Sequence, residues 1–340
     1  MKTLRVAVVH EETGHAAPPD ILDTVRQAEA VLRSMGQLDW TCAQIPVGQD
    51  LDAFQDTLRR FGPHLVFNLL ESFQGTSTLG AVVPALCRQA GLPFTGADEC
   101  AMILAGDKSA ARRIMAATDI PVPAGVDRVA LLRGVFPGPG PYIVKSRFED
   151  ASLGLDADAV IDARCAGDLV QAMDLRAPAM GGACVAERYV HGREFNLALL
   201  AAPHGSVQAL PLAEMVFDPG TPGPAILHYA AKWEEGSPAY AASWRRFALD
   251  QGQPMCGEMA RIGLRCWEIF GLAGYARVDF RVSSAGQVFV IDVNPNPCIA
   301  LDSGFVAAAV HAGLTHRDVV YRIAMAALEQ AGQPWEGRHG

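Results

Sequence analysis

The sequence predicts an α/β protein, α+β overall: an open parallel sheet with flanking helices first, then antiparallel strands. Three observations carry this. The first hundred residues alternate short apolar runs with amphipathic helical spacing, as βαβ units do. A Pro/Gly stretch, PGPGP at 137–141, interrupts the middle. Near the C-terminus two alternating runs flank SSAG, the signature of a hairpin.

Each element follows from its residues. LRVAVVH (4–10) is a buried strand. In 21–36, Ile21, Leu22, Val25, Ala28, Leu32 and Met35 recur at three-to-four spacing, and Gly36 stops the helix. HLVFNLL (64–70) is a strand, LGAVVPALCRQAGL (79–92) a helix ended by Gly91, and PFTG a further short strand. DKSAARRIMAATD is a helix opened by Lys108, and YIVK is a strand ended by Lys145. GGACVAERYVHGREFNLALL (181–200) reads as two strands around His191–Gly192. EMARIGLRCWEIFG (258–271) is helical, as is the tail from about Gly304 to Ala331.

Composition narrows the function. The 340 residues, half of them hydrophobic, suit two or three domains. A net charge of −9 with no Lys/Arg block excludes a nucleic-acid backbone binder. No apolar run is long enough for a membrane span, and MKTLRVAVVH lacks a signal-peptide core, so a cytoplasmic location is expected. The eight cysteines include no CxxC pair, which argues for buried thiols over zinc or disulfides.

The hairpin RVDFRVSSAGQVFVIDVNPNPC (277–298) holds the chemistry. If the chain reverses around Ala285–Gly286, Asp279 faces Asp292 and Arg277 faces Asn294. That puts two carboxylates, an amide and a guanidinium on one face. Two acids so close need a cation between them, and hard oxygen donors suit Mg²⁺. The alternative is a solvated sheet face paired by Arg277. Three lysines, Lys108, Lys145 and Lys232, could hold phosphates. The small-residue loop after Lys145, SRFEDASLGL, would let backbone N–H groups approach them.

Seven segments in order carry a family resemblance: GLPFTG (91–96), Asp107–Lys108, YIVK (142–145), AERYVHGREF (186–195), AKW (231–233), GYARVDF (274–280) and IDVNPNP (291–297). Together, over about Asn68 to Val320, they resemble the ATP-grasp fold, and within it the D-alanine–D-alanine ligase family. The resemblance implies an N-terminal Rossmann-like domain (1–100), a small central ATP-grasp subdomain (101–185) and a C-terminal one with the metal site (186–340). It implies ATP and two Mg²⁺ ions, with Mn²⁺ an alternative. Lys108, Lys145 and Ser152 would meet the phosphates. Glu187 and the backbone at Tyr189 and Val190 would hold adenine, Glu194 the ribose, and Lys232 the γ-phosphate region. Asp279, Asp292 and Asn294 would ligate metal, Arg277 would stabilise the transferring group, and Ser303 would bind a product-side carboxylate.

The implied activity is an ATP-dependent carboxylate–amine ligase working through an acyl phosphate on small amino-acid-like substrates, with a homodimer as the family's usual assembly. The departures lie at the substrate end. ESFQGTST, with Glu71, replaces a family loop. Glu12, or its neighbour Glu11, stands nearest the family's N-terminal glutamate. Asp150, Ala151 and Ser152 replace a Gly-Ser-Ser, Trp233 a tyrosine, and Cys298 a glycine. They favour substrates other than two D-alanines. The literal D-alanine–D-alanine reaction of cell-wall synthesis and a non-catalytic ATP-binding scaffold or sensor remain alternatives.

Overall fold

In a computed structural model the described residues are 3–13, 19–150, 152–221, 223–234, 236–247 and 252–333. They build three sheets. The first follows the βαβ reading: β1 (Arg5–Glu11), α1 (Pro19–Gly36), β2 (Thr41–Val47), α2 (Leu51–Phe61), β3 (Leu65–Asn68) and, after a 3₁₀ turn at Ser77–Ala81, α3 (Val82–Ala90). The strands are parallel in the order β2-β1-β3. All but the first residue of β1 is buried, because both faces are covered. The expected strand PFTG shrinks to one bridge, Phe94 to Val66, since the chain diverges once Thr95 has bonded to Asn68. The helix expected over 79–92 begins only at Val82, the turn before it being 3₁₀.

Two helices follow, α4 (Glu99–Gly106) and α5 (Lys108–Ala117). Asp107 ends the first and caps the second, accepting from the N–H groups of Ser109 and Ala110. The central sheet comprises β4 (Gly125–Asp127), α6 (Arg128–Leu132), β5 (Gly140–Ser146), β6 (Val160–Ala163), α7 (Ala166–Arg176) and β7 (Cys184–Arg188). Its strand order is β4-β7-β5-β6, all antiparallel.

The large sheet takes the rest: β8 (Gly192–Ala201), β9 (Val207–Ala209), β10 (Ala213–Phe217), α8 (Tyr229–Trp233), α9 (Pro238–Ala241), β11 (Ser243–Arg246), α10 (Pro254–Phe270), β12 (Tyr275–Ser283), β13 (Val288–Asn294), α11 (Gly304–His311) and α12 (His316–Gln330). The order is β11-β10-β8-β12-β13, with β9 against β8.

One expectation needs correction here. The strands around His191–Gly192 do not pair: β7 closes the central sheet and β8 opens the large one, so the chain crosses between sheets at 189–191, a few residues beyond the expected break at 185. Helices α4 and α5 bury Ala101, Ala105, Ala111 and Met115 in the core under the large sheet, while α5 is also tied to the central unit by Ser109–Asp127 and Asp107–Arg147 bonds. Their apolar faces find Phe195, Val278 and Phe280 there. The other face of that sheet packs on α11 and α12, whose core continues to Leu4, Val6 and Leu65 of the first sheet. The clefts between the sheets hold the polar residues.

Candidate active site

The hairpin face is set by a bulge. The turn centres on Ala285, with Ser283 N donating to Gln287 O and Gly286 at φ 80°. That register alone would pair Asp279 with Ile291 and turn Asp292 away. The register shifts between Asp279 and Phe280, leaving Ile291 unpaired, so Asp279 lies opposite Asp292 and Arg277 opposite Asn294. Beyond the bulge Val290 and Val288 stay in the core opposite Phe280 and Val282. The freed Ile291 carbonyl accepts from Lys145 Nζ at 2.7 Å. One irregularity thus places both acids and anchors a lysine.

The charges on this face are matched within the chain. Arg277 grips Asp279 with two bonds, Nε–Oδ1 2.8 Å and Nη2–Oδ2 2.9 Å, and Asn196 Nδ2 donates to the same Oδ1 at 2.7 Å. Lys108 Nζ lies 2.9 Å from Asp150 and 3.8 Å from Asp292. Burial pulls the Lys108 ammonium down, but Asp150 and Asp292 outweigh it and hold it above the ordinary lysine value. Burial pushes Asp292 up, yet Lys108, Lys145 and Arg277 keep it below the usual carboxylate range. Asp292 is therefore ionised at neutral pH. Lys145 also pairs with Glu187 at 2.9 Å. Asn294 accepts from Asn296 N.

Beside it lies an apolar wall. Tyr189, Ala159 and Ile226 form a small buried apolar cluster, joined by Ile143, Leu155 and Val160. Glu194 is buried with Arg281 at 3.4 Å, and burial raises its carboxyl against the pull of Arg281. Arg281 also donates to the carbonyls of Gly192 and Ala225 and stacks on Tyr189. Val190 follows Tyr189 in the crossing between sheets. Ser152 adopts φ 63° and donates to Leu227 O at 2.8 Å, tying the loop after β5 to the segment before α8. Ala151 lies outside the described residues.

The opposite end is built differently. A cleft of about 440 Å³, open to solvent, is lined by Glu71, Ser77, Phe148, Asp150, Asn294 and Asn296. Glu71 accepts from Gln27 at 2.7 Å. Burial pushes its carboxyl up to about 7, against the Gln27 bond and Lys232. Cys298 donates its thiol to Asp23 at 3.0 Å, and burial holds the thiol well above its ordinary value. Lys232 sits over the Trp233 ring at 5.0 Å, its pKa lowered by burial and by Arg277. Ser303 caps α11, its Oγ accepting from Val306 N.

Glu12 is not brought into this group. It is exposed, its carboxylate beside Gly48. Glu11 is the buried neighbour, accepting from Ser72 Oγ at 2.8 Å next to Glu71. Three residues that sequence reasoning missed also stand here. Glu149 accepts from the N–H and hydroxyl of Ser77, linking the loop after β5 to the 3₁₀ turn before α3. Arg281 steadies Glu194, as described above. Arg245 of β11 lies against Gly304, its buried Nε without a hydrogen-bond partner among the described residues.

Among the described residues no three His, Cys, Asp or Glu side chains converge into a metal cage. The hairpin instead offers two carboxylates and an amide, a set that suits a hard cation whose remaining ligands come from a phosphate and water. Among those residues no helix is long and apolar enough to cross a membrane.

Comparisons with known proteins show the family and the fold. The family described as "D-ala D-ala ligase C-terminus" matches residues 140–325. A D-alanine–D-alanine ligase of Gluconobacter oxydans is 25% identical over 318 residues, 93% of this chain and 96% of that protein. An uncharacterised protein of Sinorhizobium fredii, y4sG, is 28% identical over 278 residues, 78% of this chain and 77% of its own. The crystal structure of a D-alanine–D-alanine ligase from Bacillus anthracis superposes with a TM-score of 0.73 at 16% identity, covering 97% of this chain and 99% of that one. The same enzyme has been solved in complex with ATP. With more than half its length matched, the chain belongs to the D-alanine–D-alanine ligase family of ATP-dependent ligases with the ATP-grasp fold.

Proposed function

We propose that the protein binds Mg·ATP between the central and large sheets and joins a small amino-acid-like carboxylate to an amine through an acyl phosphate. The observation that carries this is the bulged hairpin: Asp279, Asp292 and Asn294 share a face with Arg277, and Lys108 and Lys145 converge on it.

Each residue has a task. Lys108 and Lys145 are held by Asp150 and Glu187, and a triphosphate would share these cations. Glu187 and the backbone at Tyr189–Val190 hold the base, and Glu194, fixed by Arg281, holds the ribose. Asp279, Asp292 and Asn294 would hold Mg²⁺, which supplies charge neutralisation as the γ-phosphoryl moves. Arg277, kept in orientation by its two bonds to Asp279, meets the transferring group and then the oxyanion formed when the amine attacks. No side-chain nucleophile is needed. At the far end Glu71, and Glu11 behind it, suit a substrate ammonium. Lys232 and the Ser303 hydroxyl suit the carboxylate of the amine substrate.

The test is to mix protein and Mg·ATP with L- and D-amino acids, singly and in pairs, and follow phosphate release with mass spectrometry of the product. Turnover that yields an amide supports the ligase reading. D-alanine as both partners is the first pair to try. ATP binding without turnover by any pair counts against it.

A further inference from the structure

The edge strand β11 carries adjacent arginines on opposite faces. Arg246 shares Glu214 with Arg193, at 2.5 Å and 2.7 Å, and is neutralised. Arg245 points the other way. Its guanidinium lies flat on Gly304, where a side-chain carbon would sit 3.3–3.5 Å from Nη2, Nε and Cζ. Its Nε is buried with no hydrogen-bond partner among the described residues. Burial and the neighbouring Arg277 lower its pKa, and Asp302, an exposed side chain, opposes them.

Three cations therefore face this end: Arg277, Lys232 and Arg245. Among the described residues only Arg277 has a carboxylate within ion-pair distance, Asp279; Lys232 and Arg245 feel Glu71 and Asp302 at longer range. Lys232, like Arg245, has its pKa lowered by burial and by Arg277. A buried cation without a close counter-charge is costly, and an arriving anion offsets that cost. Lys232 and Ser303 suffice for one carboxylate. Arg245 is surplus to that need, and its fork fits a second anionic group in two-bond geometry.

We propose that Arg245 is a specificity residue that reads a second anionic group on the amine substrate, so that this substrate is an amino acid with an acidic side chain. This rests on the ligase reading above. Gly304 belongs to the same device, since any larger residue would press on the guanidinium.

The test compares aspartate and glutamate, in both enantiomers, with alanine as amine partners for wild type, Arg245→Gln and Gly304→Ala. The expected result is at least a hundredfold preference of wild type for an acidic partner in kcat/KM. In Arg245→Gln that preference falls to within about threefold, while KM for ATP and kcat/KM for alanine stay within twofold. Gly304→Ala lies between. A wild type that prefers alanine overturns the proposal, as does a variant that loses alanine and acidic partners equally. A parallel measurement follows the melting temperature with Mg·ATP and then with added amino acid. Failure of ATP to shift it sinks the nucleotide reading. An ATP shift with no further shift from any acidic amino acid sinks the Arg245 proposal alone.

Discussion

The face proposed for the nucleotide and the end proposed for the substrate are built from the same residue types but balanced in opposite ways. On the nucleotide face every cation described has a carboxylate of its own: Lys108 has Asp150, Lys145 has Glu187, Arg277 has Asp279 and Arg281 has Glu194. At the substrate end the acids lean on neutral partners, Glu71 on Gln27 and Asp23 on the Cys298 thiol. Among the described residues Lys232 and Arg245 have no carboxylate within ion-pair distance, Glu71 and Asp302 acting on them from further off. A site that always binds the same ligand can be pre-balanced and rigid. A site that tells substrates apart is left unbalanced, so that the right substrate completes it.

The largest effect should come from the pre-balanced side. Asp292→Asn removes the carboxylate proposed as a metal ligand from between Lys108, Lys145 and Arg277. Turnover should fall roughly 10³-fold in the phosphate-release assay. A fall below tenfold would take Asp292 out of the metal site.

Next comes Glu187→Gln. It leaves Lys145, only 15% exposed in its side chain, without its carboxylate. Breaking such a pair costs about 3 kcal/mol. Denaturant unfolding should show that loss, with a raised KM for ATP and little change in KM for the amino acids. Unchanged stability would mean the Ile291 carbonyl alone holds the lysine.

How far these features could be read beforehand differs between the two sides. The hairpin face was legible because alternation fixes which residues share a face, and the seven motifs fix their order. The bulge at Ile291 was not legible, since nothing in VFVIDV marks an unpaired residue, yet without it the expected pairing of Asp279 with Asp292 fails. The choice between Glu11 and Glu12 was hidden for a different reason. Strand β1 is buried on both faces, so alternation carries no inside–outside signal there. Arg245 and Arg246 look alike in SWRR, and only the position of Glu214 on the neighbouring strand separates them. The strands either side of His191 looked like a hairpin because local sequence cannot say that two consecutive strands join different sheets.

The unbalanced end should show itself in pH. Glu71 has its carboxyl pushed up to about 7, from an ordinary 4.5. If its charged form holds a substrate ammonium, kcat/KM for the amino acid should rise with pH and level off above about 7. Glu71→Gln should lose that limb, falling about tenfold below wild type at pH 8 and matching it near pH 5. Stability runs the other way. A raised carboxyl pKa gives stability that is full below 4.5 and lost as pH rises through about 7. The Gln variant should therefore melt higher than wild type at pH 8 and equally at pH 5. A limb near pH 7 that survives the substitution would belong to another group.

The smallest effect is expected at Cys298. Its thiol is held protonated by burial and by the negative charges of Glu71 and Asp23, while its hydrogen goes to Asp23. A thiol in that state is a poor nucleophile. The exposed Cys100 and Cys165 should react with iodoacetamide first, and peptide mapping would show the order. Cys298→Ser keeps a donor to Asp23 and should change turnover by less than about threefold. Cys298→Gly removes the donor, leaving Asp23 buried without that bond, and should raise KM for the amino acid more than it lowers kcat. If Ser also abolishes turnover while ATP still binds, the sulfur takes part in the reaction. The unbalanced end would then contain a reacting group as well as a recognition site.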